Sequence, residues 1–127
     1  MRRDAGQSAE ISEAILEGAR LRPQGDPTRY FTWDVDGGGA PVCTGSSALG
    51  VAYEAATGNV HHAEDRVYER LHELYGHALY TVKVPRPDQS GGLITQEEAI
   101  YELEKMGWSR EDIARWISSD PERDLEN

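Results

Sequence analysis

The chain has 127 residues, with 13 Lys and Arg against 23 Asp and Glu, for a formal net charge of −10. That length makes one domain with a core of its own, over residues 1–127, and 38% hydrophobic residues place it among globular rather than disordered chains. An acidic surface repels phosphate, so the balance argues against duplex DNA and anionic membranes, while the single cysteine, Cys43, excludes an intramolecular disulfide and leaves no basis for a thiolate zinc site.

Residues 1–7 are expected to fray. From Ser8, which can cap a start, Ile11, Ala14, Ile15, Gly18 and Ala19 recur at helical spacing until Pro23 stops the run. Gly18 lies on the apolar stripe, so another backbone is expected to come close there. Gln24-Gly25-Asp26-Pro27 is a turn. Tyr30–Val35 alternates, with Phe31, Trp33 and Val35 on one face, and reads as a half-buried strand. Asp36-Gly37-Gly38-Gly39 then turns the chain into a short strand at Val42–Thr44.

Gly45-Ser46-Ser47 opens a second helix that runs to Thr57 and stops at Gly58. Its side chains are small (Ala48, Gly50, Ala52, Ala55, Ala56), which suits the middle of a domain. A third helix is expected over Ala63–Tyr75, with Val67, Leu71, Leu74 and Tyr75 buried and Gly76 as its stop. Leu79–Val84 alternates and reads as a strand closed by Pro85 and Pro87. Pro85–Gly92 is expected to be a mobile loop. Thr95-Gln96-Glu97-Glu98 is a capping box, opening a helix with Ala99, Ile100, Leu103 and Met106 on its stripe. After Gly107, Ser109 starts a last helix carrying Ile113, Trp116 and Ile117, stopped at Asp120-Pro121, with residues 120–127 as a tail. The expected class is α+β: a small antiparallel sheet, a β-hairpin plus one further strand, packed by helices and closed by a C-terminal helical hairpin.

Three runs together carry a resemblance: Glu13-Ala14-Ile15-Leu16-Glu17-Gly18-Ala19-Arg20-Leu21-Arg22-Pro23-Gln24, Ala48-Leu49-Gly50-Val51-Ala52-Tyr53-Glu54-Ala55, and Gly107-Trp108-Ser109-Arg110-Glu111-Asp112-Ile113-Ala114-Arg115-Trp116-Ile117. In order and approximate spacing the chain resembles a group of small uncharacterised proteins of bacteriophages, prophages and bacterial genomes. The resemblance implies an accessory protein of a mobile element, aimed at host machinery or a host defence. Members of that group often carry paired cysteines before the C-terminal hairpin, as in a zinc knuckle. This chain has Val82-Lys83-Val84-Pro85-Arg86-Pro87-Asp88 there, and Ser47 where a cysteine is common, so a thiolate zinc site does not carry over.

Few residues suggest chemistry. Glu69 and His72 form one Glu-x-x-His pair near His61, His62 and His77, but a di-iron site needs a second pair and further glutamates. Cys43 has no positive neighbour in sequence to activate it. The expectation is therefore no cofactor, no metal, no catalytic residue and no enzyme activity. Ser46 and Ser47, ahead of the second helix, could hold a small anion on the helix amides, and so support an alternative reading as an anionic-ligand binder or enzyme. The Gly107 turn suggests a further alternative, a helix-turn-helix-like regulator. Against it, Glu111 and Asp112 open the helix where phosphates would lie, and Arg110 and Arg115 do not outweigh them. The leading expectation is an acidic binding or inhibitor protein. Trp108 in the hairpin turn would be its anchor, ringed by Glu97, Glu98, Glu104, Glu111 and Asp112, and its partner a host or defence protein with a basic surface. The competing view of Trp108 is a plug folded over Ile113 and Ile117. With no apolar run near the ~20 residues of a membrane span and no apolar signal region after Met1-Arg2-Arg3, the expected location is cytoplasmic.

Overall fold

The structure, a computed structural model, describes residues 3–119. Its elements in chain order are α1 (Arg3–Gly18), β1 (Phe31–Val35), β2 (Pro41–Ser46), α2 (Ala48–Thr57), α3 (Glu64–Gly76), a π-helical turn (His77–Thr81), β3 (Lys83–Pro85), β4 (Leu93–Thr95), α4 (Gln96–Lys105) and α5 (Arg110–Ser119). The class is α+β, with two small antiparallel sheets and a C-terminal helix pair. Among the described residues, no helix is long and apolar enough to cross a membrane.

The core is built on α1, which packs against both α2 and α5. Ile11 and Ile15 of α1 meet Ala48, Val51 and Ala52 of α2 and Ile113, Ala114 and Ile117 of α5, all buried. Gly18 is where α1 crosses α2: a Cβ there would lie 2.6 Å from the Val51 carbonyl oxygen. α2 is central, as its small side chains suggest, and is buried from Ala48 to Glu54. Ser47 caps its start by accepting the Gly50 N–H. Gly58, at φ 78°, ends it in the left-handed region that a side chain would disfavour.

Three expectations about elements are corrected. α1 begins at Arg3, so Ser8 is not its cap. The Ser8 hydroxyl instead lies inside the helix and accepts a hydrogen bond from Gln96 Nε2 at 3.2 Å. Second, Gly76 is the last residue of α3 but not a left-handed stop. Tyr75 kinks the backbone (φ −135°, ψ 25°), Gly76 stays right-handed helical, and the chain runs on into the π-turn. Third, residues 79–81 are therefore not strand. They belong to the π-helical turn, in which Ala78 and Leu79 are both buried. The Ala78 N–H donates to Gln7 Oε1 and its carbonyl accepts from Gln96 Nε2. Side chains of α1 and α4 thus satisfy the backbone of Ala78 at the start of the turn.

What remains of that strand, Lys83–Pro85, pairs with Leu93–Thr95 and not with the first hairpin. The single sheet expected is thus two separate two-stranded sheets. Arg86 in the connection bonds Glu102 at 2.6 Å, tying the loop to α4. The first hairpin pairs β1 with β2, with a register shift between Thr32 and Trp33. That irregularity breaks the expected face: Phe31 is buried, Trp33 half-buried and Val35 66% exposed. The expected stop at Asp120-Pro121 and the tail at 120–127 lie outside the described residues.

Candidate functional site

The site is organised by α4. Thr95 caps the helix as its motif predicts, accepting the Glu98 N–H at 3.1 Å and donating its hydroxyl to Glu98 Oε1. Ala99, Ile100 and Leu103 face the core. Glu97, Tyr101 and Glu104, at i, i+4 and i+7, run along one stripe beside them. This stripe forms a wall of a cavity of about 250 Å³. The other walls come from Pro27 to Tyr30 ahead of β1, Ser47 and Leu49 of α2, and Glu64 of α3. Leu49, Ile100 and the two tyrosines make most of the lining apolar, and four carboxylates (Glu64, Glu97, Glu98 and Glu104) stand around it.

Each carboxylate is held differently. Glu64 accepts the Tyr30 N–H at 3.0 Å, which joins α3 to the strand entry. Glu97 accepts the Tyr80 hydroxyl at 2.9 Å. The Tyr80 ring stacks on His72 (4.2 Å) and meets the edge of Tyr68 (5.4 Å). Burial pushes the Glu97 carboxyl above its ordinary value, against the opposing Tyr80 hydrogen bond. Burial together with the nearby Glu97 charge raises the Tyr80 phenol, so Tyr80 stays a donor. Glu98 is exposed. Among the described residues, none of the four carboxylates forms an ion pair with Lys, Arg or His.

Glu104 is the exception to the expected solvated rim. It is only 6% exposed. Both its oxygens accept the Ala48 N–H, at 3.1 and 3.2 Å, and Oε2 also accepts Gln24 Nε2 at 2.9 Å. Burial raises its carboxyl, partly offset by these bonds. The same carboxylate stands at the helix start where a small-anion site was expected at Ser46 and Ser47. Both serines are buried, and the carboxylate at the α2 N-terminus is the chain's own. Ser46 is further occupied by Arg110, whose Nη1 donates to its hydroxyl at 3.0 Å and its carbonyl at 3.3 Å.

Arg110, at the start of α5, faces inward and is 5% exposed. Its Nη2 donates to the Arg22 carbonyl at 2.7 Å and the Ala19 carbonyl at 3.4 Å, in the turn that follows α1. Burial lowers its pKa from the usual guanidinium value. Nearby, Arg22 pairs with Glu54 through two bonds, of 2.9 and 2.6 Å, and that pairing raises its pKa.

The six residues expected to form one partner surface are thus divided. Glu97, Glu98 and Glu104 line the cavity. Trp108 and Asp112 line a shallow groove at the hairpin turn with Met106, Arg115 and Trp116. Trp108 is half-buried and packs against the core, and its carbonyl accepts Gln24 Nε2. Glu111 is half-buried, and Asp112 is exposed and paired with Arg115 at 2.8 Å. The histidines are dispersed: His62 stacks on Trp33 at 3.9 Å, His61 Nδ1 accepts the Ala63 N–H, and His72 joins the tyrosines. Among the described residues, no three His, Cys, Asp or Glu side chains come together as a metal site. Cys43 is half-buried, its thiol 3.4 Å from the Gly45 carbonyl.

Sequence reasoning missed Tyr30, Glu64, Tyr80 and Tyr101. Only Tyr101 carried a local signal, through its helical spacing from Glu97 and Glu104. No family model, curated protein or solved structure matches the chain.

Proposed function

We propose that the chain is a non-enzymatic acidic binding protein that engages a basic protein through the face of α4 around the cavity. The observation that carries this reading is a mostly apolar concavity with carboxylates on several sides and, among the described residues, no cation paired to them. Apolar walls favour desolvated contact, and the surrounding negative potential steers a basic surface toward it. The net charge of −10 acts in the same sense. The resemblance to phage and prophage proteins supports a host or defence protein as the partner, and inhibition as the outcome.

For the regulator alternative, suggested by the Gly107 turn, α5 offers few free cations: Arg110 faces inward. The remaining exposed cation of α5, Arg115, is already paired with Asp112. Immobilised protein exposed to host extract, eluted by rising salt and followed by mass spectrometry, tests the reading. A basic protein that elutes with salt and rebinds at one-to-one stoichiometry supports it. Retention of duplex DNA with no protein captured overturns it.

A further inference from the structure

We infer that the α4 cavity receives one lysine side chain of the basic partner, its methylene stem on Leu49 and Ile100 and its ammonium among Glu64, Glu97 and Glu98. The source of the lysine rests on the binding reading above; the cavity's chemistry does not.

At about 250 Å³, the cavity is large enough to take one side chain and too small for a folded segment. Its lining is mostly aliphatic and aromatic, which matches four methylenes better than it matches a short polar group. An ammonium has three donors and no acceptor, so it is favoured where carboxylates outnumber cations. Glu64, Glu97, Glu98 and Glu104 line the cavity from two helices, against one lining cation, Arg29. Glu64 and Glu97 are each positioned by a donor from elsewhere in the fold, the Tyr30 N–H and the Tyr80 hydroxyl. Each of those bonds leaves one carboxylate oxygen without a hydrogen-bond donor among the described residues.

The aromatic wall shows the same preference. The ring of Tyr101, which lines the cavity, already has an ammonium near it: Lys105 Nζ lies 5.1 Å from its centroid. That distance is within the range of a cation–π contact. A lysine in the cavity would meet a ring of the same kind, with carboxylates in place of water.

Titration of the full chain, 15N-labelled, with the capped tripeptide acetyl-Gly-Lys-Gly-amide tests the proposal. Saturable shifts are expected at Tyr30, Leu49, Ile100 and Tyr101. The matching norleucine peptide is expected to bind roughly tenfold more weakly, since it lacks the charge-assisted bonds. Glu97→Gln with Glu98→Gln should weaken the lysine peptide by a similar factor, while the side-chain carbonyl introduced at position 97 can still accept from Tyr80. Because that variant could perturb folding, salt dependence of the wild-type protein gives a second measure: lysine binding should weaken steadily as salt rises. Equal affinity for norleucine, shifts centred elsewhere, or salt-independent binding would each overturn the proposal, as would tighter binding of the arginine peptide. A partner captured equally by wild type and the double variant removes the lysine site and leaves the binding reading standing. Lysine-peptide binding with no protein captured supports the site and removes the reading.

Discussion

Glu104 accepts the N–H of Ala48 with both carboxylate oxygens, at 3.1 and 3.2 Å, across 56 residues of sequence. A buried helix start leaves donors unsatisfied and carries partial positive charge. Here one carboxylate from α4 answers both, and so fastens the central helix to the element that forms the cavity wall. Glu104→Ala should therefore destabilise the fold by about 2 kcal/mol or more, because the Ala48 N–H would be left buried and unpaired. Urea unfolding would measure it. A loss under about half a kcal/mol would mean that water replaces the carboxylate freely.

Arg110 does the equivalent for carbonyls, joining Ser46 of β2 to the turn after α1. Arg110→Met should cost roughly 2–4 kcal/mol, since several buried acceptors lose a charged donor at once. Arg110→Lys should recover only a minor part, as one ammonium cannot reach the spread of acceptors that the guanidinium fork spans. Thermal and chemical denaturation of both variants would decide this, and full rescue by lysine would contradict the fork geometry.

Gly50 lies where α2 meets the entry to β1. A Cβ there would sit 2.0 Å from the Tyr30 carbonyl oxygen, which is backbone and cannot step aside cheaply. Gly50→Ala should lower stability by about 2 kcal/mol, reversing the roughly 1 kcal/mol gain expected from helix propensity alone. Gly37→Ala, with no atom within 4 Å of the new Cβ, is the control and should change little.

The Glu97 carboxyl is raised chiefly by burial. Tyr80, Tyr30 and Glu64 stand around it, with Glu98 and His72 close enough to act through charge. A raised folded-state value means the protonated form is favoured on folding. Its contribution to stability is complete below the unfolded value of about 4.5 and is lost as pH rises through the folded value. Glu97→Gln should therefore be more stable than wild type near neutrality, with the difference closing as pH falls below that range. Melting curves of both proteins over this window would show it; a constant difference would place Glu97 in ordinary solvent.

Trp108 is half-buried against the core, with its backbone tied to Leu103 and Gln24. Trp108→Ala should thus lower the melting temperature, with a loss on the order of 2–3 kcal/mol. The folded fraction should bind a basic partner, or the lysine peptide, as wild type does. Unchanged stability with lost affinity would restore Trp108 as an interface anchor.

Much of the local structure was legible because its causes are local. The box Thr95 to Glu98 caps α4 by contacts three residues apart. Ser109 starts α5 in the same way, accepting the Asp112 N–H at 3.0 Å. Gly58 and Gly107 end helices through positive φ, a property of glycine and not of its neighbours. The small residues of α2 foretold a central helix for an equally direct reason: close approach needs small side chains. The acidity too was visible in the composition, and with it the class of partner proposed.

Tertiary contacts decided what local pattern could not. Tyr80, Val82 and Val84 alternate as a strand would, yet only Val84 lies in one; Tyr80 falls in the π-helical turn, where Gln7 and Gln96, far apart in sequence, satisfy Ala78. Glu104 read as part of a partner rim and Arg110 as a cation at a helix start, since a single sequence does not reveal which distant backbone groups lie within bonding distance of them. The cavity is of the same kind. Its residues come from the loop before β1, from α2, α3 and α4, and their spacing along the chain carries no period that joins them. Periodicity and capping record interactions within one element, so the sequence by itself determined the helices, the stops at Gly58 and Gly107 and the acidic character. Packing between elements decided which acids were buried, which were left around an apolar hollow, and which strand found a partner.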